Sequence, residues 1–395
     1  MASLIDYIHL YGGVSFSKKR FNDVDNVILS LVAYIDMSNT AAATPEGIRL
    51  ADALENFIKS HTQKEISRYG LAIKDAYLVA KELIGAPRFA DVRVSDYVYL
   101  ADGDTQFGAM VFHLTKYLDY ICFEGTDHTI GGWREDCLLA CYHPVSSHIL
   151  GADYLKKHIK LSGPTVILGG HSKGGNTALV SALMTTPMRR KKIRMIYSND
   201  GPGLRRRELL SKEYKSIRSK YKHIVPQNSI VGMLLRQDEN FVVRSNQLGV
   251  MAHIPTSWEV IDDKFRRSVL AKRSEALNKA LVDWLDRHSD EERLTIVNEC
   301  FDLLGKAGID RTMDFRDPKK VVKVISMINT IPEDTRKLVL DIIKSCADKI
   351  SEATLKDDKQ KKKLLREPLF AGYFRPLFFL NWYSIPRTAN TQVTI

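Results

Sequence analysis

The chain has 395 residues, of which 44% are hydrophobic and 27% charged, and its formal net charge is +11. This composition is ordinary for a globular protein, and the length allows a full core without disulfide bonds. The five cysteines form no C-x-x-C pair. We therefore interpret them as reduced thiols and expect a cytoplasmic protein with neither a secretory signal nor a membrane-spanning helix.

The positive charge is spread along the chain, with local runs at 189–192, 205–207 and 361–363. No zinc-finger spacing, RNP-type motif or helix-turn-helix accompanies it, so we expect a basic surface and no nucleic-acid partner. The 361–363 run precedes an aromatic cluster in the C-terminal tail. That combination predicts either a peripheral membrane contact or a tail that folds back onto the protein.

Residues 1–90 have the apolar spacing of amphipathic helices, notably over 21–37, 45–58 and 71–84. From residue 91 the pattern changes to alternating strands and helices. Strands are predicted at 97–100, 106–114, 119–123, 165–169, 193–197 and 241–244, and helices between them at 133–142, 146–159 and 176–184. Such alternation favours an α/β fold with a mostly parallel sheet flanked by helices.

After about residue 258 only helical patterns are predicted, at 265–288, 291–304, 318–331 and 333–348. The chain is thus expected to contain four parts. They are an N-terminal helical segment packed on the core (1–90), an α/β core (91–260), a helical accessory or lid region (261–365) and a basic, aromatic tail (366–395).

The sequence Gly-His-Ser-Lys-Gly-Gly at 170–175 fits the pattern G-x-S-x-G. It follows the apolar run 165–168 and precedes the helical stretch 176–184. In that setting the small residues Gly170 and Gly174 allow a sharp strand-to-helix turn that exposes a serine hydroxyl. The motif therefore predicts Ser172 as the nucleophile of an α/β-hydrolase fold.

Acyl transfer also needs N–H donors for the oxyanion. One is expected from the residue after the nucleophile, Lys173, and another from the loop after an early strand, where Thr126 follows Phe-Glu-Gly. The Lys173 side chain is expected to reach solvent.

Phe-Glu-Gly-Thr at 123–126, with Trp133 and Asp136, resembles a segment of class 3 lipases. Gly-His-Ser-Lys-Gly-Gly-Asn resembles more closely a bacterial family of α/β-hydrolase-like proteins catalogued only as a domain of unknown function. Segments near the N-terminus and at 229–258 are also similar to that family, so the resemblance covers roughly residues 1–260. It implies a lipase-like hydrolase fold.

The base and the acid of a Ser-His-Asp triad follow the nucleophile in this fold, in the order acid and then histidine. His253 lies on a loop after the last predicted strand, where the base is expected and where the resembled family has its histidine. His223 lies in a strand-like stretch and His288 in the helical region. A structural loop histidine is the alternative interpretation of His253.

For the acid, Asp200 follows the strand 193–197 and would orient the imidazole. The more usual position is one strand later, where Asn228 stands in place of a carboxylate. Asp238 or a neutral group are therefore alternatives. Asp200 could instead cap a helix that starts near Pro202.

These residues predict a serine esterase that cleaves small-molecule or lipid esters, with no cofactor and no metal. Cys137 and Cys141 are expected to be core residues. The alternative is a catalytically inactive α/β-hydrolase-like protein that serves as a binding or regulatory module, which the missing carboxylate near Asn228 favours.

Overall fold

A computed structural model of the chain describes residues 2–66, 70–103 and 105–355. The 361–363 run and the tail 366–395 lie outside the described residues. Within them, the N-terminal helices are α1 (Leu4–Tyr11), α2 (Asp23–Val32), α3 (Leu50–Ser60), α4 (Gln63–Ile66), α5 (Leu71–Ile84) and α6 (Pro87–Ala90).

The central sheet comprises β1 (Ile48–Arg49), β2 (Arg93–Asp102), β3 (Thr105–Thr115), β4 (Leu118–Phe123), β5 (Thr165–His171), β6 (Ile193–Asn199), β7 (Tyr221–Pro226) and β8 (Phe241–Val243). The strands lie side by side in their order along the chain. The pairings from β1 to β4 are antiparallel, and those from β4 to β8 are parallel. The protein is therefore a mixed α/β structure whose parallel half begins at β4.

The helices that follow β4 are α7 (Ile130–Leu138), α8 (Ser146–His158), α9 (Lys173–Met184), α10 (Pro187–Lys192), α11 (Arg206–Leu209) and α12 (Lys212–Ile217). Crossover connections are right-handed, so strands that advance in one direction place their helices on one face of the sheet. Accordingly α8, α9 and α12 pack on the face that presents Val111 and Ile121. The opposite face, with Phe112 and Tyr120, is covered by α1 to α5.

The N-terminal region differs from the sequence prediction at its helix boundaries. The helix predicted over 45–58 begins only at Leu50, because Ile48 and Arg49 pair with β2 as an edge strand. The helix predicted over 21–37 ends at Val32. At its start, the side chain of Asn22 accepts hydrogen bonds from the N–H groups of Val24 and Asp25, which satisfies free donors of the first turn.

The expectation that strands stop at residue 258 is wrong, because a small hairpin of β9 (Val260–Ile261) and β10 (Lys264–Phe265) follows. The C-terminal helices come next and are α13 (Lys272–Arg287), α14 (Asp290–Ala307), α15 (Pro318–Met327) and α16 (Glu333–Leu355). In the described part of the chain, no helix is both long enough and apolar enough to cross a bilayer.

The C-terminal helices pack on loops at the edge of the sheet where the parallel strands end. Leu303 and Leu304 of α14 share an apolar cluster with Ile130 of α7, and Ile230 in the loop after β7 packs against the cluster that contains Leu277 of α13. The backbone also links the two parts, since the N–H of Ile130 donates to the carbonyl of Asp310 (2.9 Å). The helical region therefore covers the end of the sheet that carries Ser172.

Candidate active site

Ser172 occupies the sharp turn between β5 and α9. Its φ of 57° and ψ of −132° place it in a backbone region that favours glycine. The turn is held by a hydrogen bond from the N–H of Ser172 to the carbonyl of Asn199 on the neighbouring strand (2.9 Å). The residue is nearly buried, with 9% of its surface exposed.

Gly170 and Gly174 allow this turn to pack closely against β4. A Cβ on Gly170 would lie 2.4 Å from the backbone carbon of Gly174, and a Cβ on Gly174 would lie 2.2 Å from the carbonyl oxygen of Phe123. No side chain fits at such distances. The glycines of the motif are thus explained by the close approach of α9 to the ends of β4 and β5.

His253 and Asp200 meet beside this turn. Nδ1 of His253 lies 2.7 Å from Oδ2 of Asp200, and both side chains are buried. Since the carboxylate accepts, Nδ1 carries the proton and Nε2 is the nitrogen left to accept one. Asp200 extends β6 through its N–H, which donates to Ile224 of β7 (2.7 Å). The two predicted residues therefore form a buried carboxylate–imidazole pair.

The second oxygen of Asp200 is held by the loop after β7. Oδ1 accepts a hydrogen bond from the hydroxyl of Ser229 and another from the N–H of Gly232 (3.1 Å). The loop in which the sequence lacks a carboxylate thus supplies donors to the carboxylate of the preceding strand. The Asp200 side chain accepts no hydrogen bond from the N–H groups of residues 201–204, and the next helix, α11, begins only at Arg206. The interpretation of Asp200 as a helix cap is therefore wrong.

Asp238 is not in this cluster. Its carboxylate accepts hydrogen bonds from Arg218 (3.2 Å) and from Tyr214 (3.4 Å) at the protein surface. The other two histidines considered from the sequence make no hydrogen bond to Asp200 either. His223 donates from Nε2 to the carbonyl of Gly201 (2.9 Å), and His288 donates to the carbonyl of Trp284 (2.9 Å).

His171, one residue before Ser172, contacts His253 directly. The two rings are 4.4 Å apart at their centroids, and Nε2 of His171 donates to the backbone carbonyl of His253 (2.9 Å). Nδ1 of His171 then accepts from the hydroxyl of Tyr34 (2.9 Å). Burial, reinforced by the nearby His253, lowers the pKa of His171 well below its usual range, so the ring stays neutral. His171 therefore fixes the position of His253 relative to Ser172.

The two predicted oxyanion donors are the N–H groups of Lys173 and Thr126. Lys173 is the first residue of α9, where helix N–H groups have no partner within the helix. Neither N–H donates a hydrogen bond to any residue that the structure describes. The loop that carries Thr126 packs on the turn, since a Cβ on Gly125 would lie 2.5 Å from the carbonyl oxygen of His171.

The expectation that the Lys173 side chain reaches solvent is wrong. Its ammonium is buried, donates to the carbonyl of Gln106 (2.7 Å) and pairs with Oε2 of Glu135 (2.9 Å). Glu135 is also buried, and its Oε1 accepts from the N–H of Ser147 (2.8 Å). This ion pair ties the first turn of α9 to α7 and β3.

Replacing Lys173 with methionine leaves the buried Glu135 carboxylate without its counter-ion. We expect the free energy of unfolding to fall by about 3–5 kcal/mol, as for other broken buried ion pairs. The double variant Lys173→Met/Glu135→Gln should recover part of this loss, and the exposed control Lys191→Met should change little. Chemical denaturation measures all three, and a Lys173→Met variant as stable as the control would contradict the assignment.

Asp136 lies beside this ion pair and accepts a hydrogen bond from the Thr126 hydroxyl (2.6 Å). Burial raises its pKa to about 6, against the opposing effects of Lys173 and Thr126. A raised carboxyl pKa stabilises the folded state fully below the ordinary value of 3.8, and this contribution is lost as the pH rises through about 6.

Asp136→Asn removes that titration. The unfolding free energy of the variant, relative to wild type, should therefore increase by roughly 2–3 kcal/mol between about pH 4 and about pH 7. Denaturant titrations across this range measure the difference. A difference that stays constant with pH would show that the carboxyl does not titrate there.

Metal ligation has no support in the part of the chain that the structure describes, which contains no cluster of three or more His, Cys, Asp or Glu side chains suited to an ion. Cys137 and Cys141 are free thiols that pack with Leu138 in an apolar cluster, as expected for core residues.

Sequence reasoning missed three residues that build this site, namely His171, Ser229 and Glu135. His171 lies inside the recognised motif, so its adjacency to Ser172 was an available signal. Asn176, four residues after Ser172, also lies directly next to the motif. Its side chain donates to the carbonyl of Gly203 (2.7 Å) and accepts from His148 (2.8 Å). Ser229 and Glu135 reach the site from other elements and have no local signature.

Comparison with known proteins identifies a family. Neither the curated proteins nor the solved structures contain a match to this chain. A family model described as Mbeg1-like matches residues 83–302, more than half of the chain. The matched region runs from the end of α5 into α14 and includes the Ser172 turn, Asp200 and His253. The chain therefore belongs to the Mbeg1-like family.

Proposed function

We propose that this protein is a serine hydrolase that cleaves carboxylic esters, with Ser172, His253 and Asp200 as its catalytic triad. The observation that carries the proposal is the buried hydrogen bond between His253 and Asp200 beside a serine on a strained strand-to-helix turn. An orienting carboxylate, an imidazole with one accepting nitrogen and a constrained hydroxyl are the groups that this chemistry requires.

In the proposed reaction Ser172 Oγ attacks the ester carbonyl while Nε2 of His253 takes its proton. Asp200 stabilises the imidazolium that forms and keeps the ring oriented. The imidazolium then protonates the leaving alcohol, and a water molecule, activated by the same nitrogen, hydrolyses the acyl-enzyme. The Ser172 hydroxyl makes no hydrogen bond to the described residues, so the proposed reaction requires the Ser172–His253 hydrogen bond to form in the substrate complex.

The N–H groups of Lys173 and Thr126 are proposed to hold the oxyanion. Removal of one such donor typically costs about 10²–10³ in kcat. The buried Lys173–Glu135 pair supports this role, because it fixes the first turn of α9 and with it the Lys173 N–H.

The substrate class is proposed to be a small-molecule or lipid ester, and the helical region is proposed to set its access to Ser172. Arg293 of α14 donates to the carbonyl of Ala140 (2.8 Å), and Asn278 of α13 donates to the carbonyl of Leu235 (2.9 Å). The helices are thus anchored on both sides of the site, which favours the role of a lid. The reaction needs no cofactor, and a cytoplasmic location is proposed from the free cysteines.

The alternative of an inactive binding module was favoured by the lack of a carboxylate near Asn228. Asp200, at the end of the preceding strand, supplies the orienting carboxylate instead. Ser229 and Gly232 hold this carboxylate in place by donating hydrogen bonds to it. The active enzyme is therefore the function that we propose.

A series of p-nitrophenyl esters from acetate to palmitate tests the proposal with wild type and Ser172→Ala. We expect wild-type hydrolysis above the buffer rate, a chain-length optimum that reports the size of the acyl pocket, and no activity in the variant. Ser162→Ala, at an exposed serine far from the site, serves as the matched control. Equal rates for wild type and Ser172→Ala across the series would overturn the proposal.

A further inference from the structure

The edge of the sheet at which β4 to β7 begin is strongly basic. Four segments lead into these strands, namely 115–118, 156–165, 186–194 and 215–222. They contain one, three, five and four Lys and Arg residues, thirteen in all, and no Asp or Glu. These four segments are here called the basic edge. Their charge of +13 exceeds the net charge of the whole chain, which is +11.

Hydrogen bonds join the four segments into one continuous surface. Neighbouring segments are linked by Thr165 N to Tyr117 O (3.1 Å), Lys192 Nζ to Gly163 O (2.5 Å) and Lys220 Nζ to Ile193 O (2.7 Å). The parallel register of β4 to β7 places all four segments at the same end of the sheet. The positive charges therefore belong to one face of the molecule.

Most of this charge is not neutralised by carboxylates in the described part of the chain. Three pairs with carboxylates occur at the basic edge, namely Lys157 with Asp96, Arg218 with Asp238 and Lys222 with Asp23. The other ten basic side chains have no carboxylate of a described residue within 4.0 Å. A concentration of unpaired cations on one face attracts an anionic partner through long-range electrostatics.

Large apolar side chains are exposed among these charges. Tyr117 is 70% exposed, Leu161 52% and Met188 63%, and each lies in a different segment of the basic edge. Exposed tyrosine, leucine and methionine side chains that are surrounded by cations can enter the boundary between headgroups and acyl chains. Phosphate contacts of a nucleic acid need no such side chains.

We propose that the basic edge docks this protein on the surface of an anionic phospholipid bilayer. The Lys and Arg side chains meet the lipid phosphates, and Tyr117, Leu161 and Met188 enter the interface. The proposal goes beyond the proposed hydrolase and does not depend on it.

This docking fixes the direction in which the catalytic site faces. β5 begins at the basic edge with Thr165 and ends at His171, a length of about 20 Å at roughly 3.3 Å per residue. Ser172 follows His171 at the far end, so a docked molecule directs its nucleophile away from the bilayer. Under the proposed function, the protein would thus be held at a membrane while it acts on an ester that approaches from the aqueous side, and not on lipid of the same bilayer.

Co-sedimentation of the full chain with phosphatidylcholine vesicles that contain about one-third phosphatidylglycerol tests the proposal at about 0.1 M salt. Wild type should bind these vesicles and not pure phosphatidylcholine. Lys156→Gln/Lys160→Gln/Lys191→Gln should bind about a hundredfold more weakly, since each basic residue near the surface contributes roughly a fivefold factor. Lys319→Gln/Lys323→Gln/Lys344→Gln, a matched set of exposed lysines on the C-terminal helices, should bind like wild type.

Leu161→Ser tests the apolar contact and should weaken vesicle binding several-fold while the protein remains folded. The proposal is overturned if the basic-edge variant binds vesicles as tightly as wild type, because another segment must then contact the membrane. It is also overturned if a random DNA duplex binds more tightly than the vesicles and Leu161→Ser changes neither affinity, which would indicate a nucleic-acid surface.

Discussion

Replacing Ser172 with alanine should lower kcat for the best p-nitrophenyl ester by at least about 10⁴-fold, because the acyl-enzyme can no longer form. The fold should be unaffected, since the Ser172 hydroxyl makes no hydrogen bond to another described residue. Steady-state kinetics and circular dichroism of the same preparation measure the two properties. Residual hydrolysis near the wild-type rate would place the chemistry on another residue.

A glycine at the same position should separate activity from stability. Ser172 is held at a φ of 57°, which costs a residue with a Cβ of the order of 1–3 kcal/mol. We therefore expect Ser172→Gly to be inactive and to have a higher unfolding free energy than Ser172→Ala. The gain is reduced by the greater conformational entropy that glycine loses on folding. If Ser172→Gly were clearly less stable than Ser172→Ala, the backbone strain assigned to this turn would be wrong.

Replacing Asp200 with asparagine should lower kcat by about 10⁴-fold with a much smaller effect on KM. The amide can occupy the same space but cannot stabilise the imidazolium of His253, and it favours the wrong tautomer. Asparagine also tolerates the φ of 51° at this position, so the backbone should be retained. Kinetics of the ester chosen from the p-nitrophenyl series measure the effect.

Asp238→Asn is the matched control for this prediction. Asp238 was an alternative acid on sequence grounds, and its contacts with Arg218 and Tyr214 place it at the surface. Its replacement should leave kcat within about twofold of wild type, since surface substitutions away from special features have small effects. A large loss in Asp238→Asn together with an active Asp200→Asn would reverse the assignment of the acid.

The sequence predicted the strand-to-helix turn because its cause is local. A buried apolar run, two glycines and a helical stretch lie within twenty residues, and the clash of a Cβ on Gly170 with Gly174 is local, although that of a Cβ on Gly174 is with Phe123 of β4. His253 could be proposed in the same way, from its position on a loop after the last predicted strand, 241–244. In the structure Ser172 lies on the turn and His253 forms a hydrogen-bonded pair with Asp200. Their catalytic roles stay predictions until the variants are measured.

The contacts of Asp200 could not be predicted, because they join segments that are distant along the chain. Ser229 is 29 residues away and Gly232 is 32 residues away. The sequence has no carboxylate near Asn228, but what this implies for catalysis depends on which residue the loop after β7 faces. Only the register between β6 and β7 shows that this loop donates to Asp200.

The buried Lys173 illustrates the same limit. A lysine after the nucleophile is expected to reach solvent because burial of an unpaired ammonium is costly. Its partners Gln106 and Glu135 lie 67 and 38 residues earlier in the chain. No local pattern brings these residues together, and only the packing of α7 and β3 against α9 creates the site for the charge.

The most direct test of the proposed hydrolase is covalent labelling with a fluorophosphonate, followed by intact-mass and peptide mass spectrometry. The proposed mechanism predicts one probe per molecule, attached to Ser172, with labelling abolished in Ser172→Ala and strongly slowed in Asp200→Asn. An unlabelled wild-type protein, or a probe attached to a different residue, would contradict the assignment of Ser172 as an activated nucleophile.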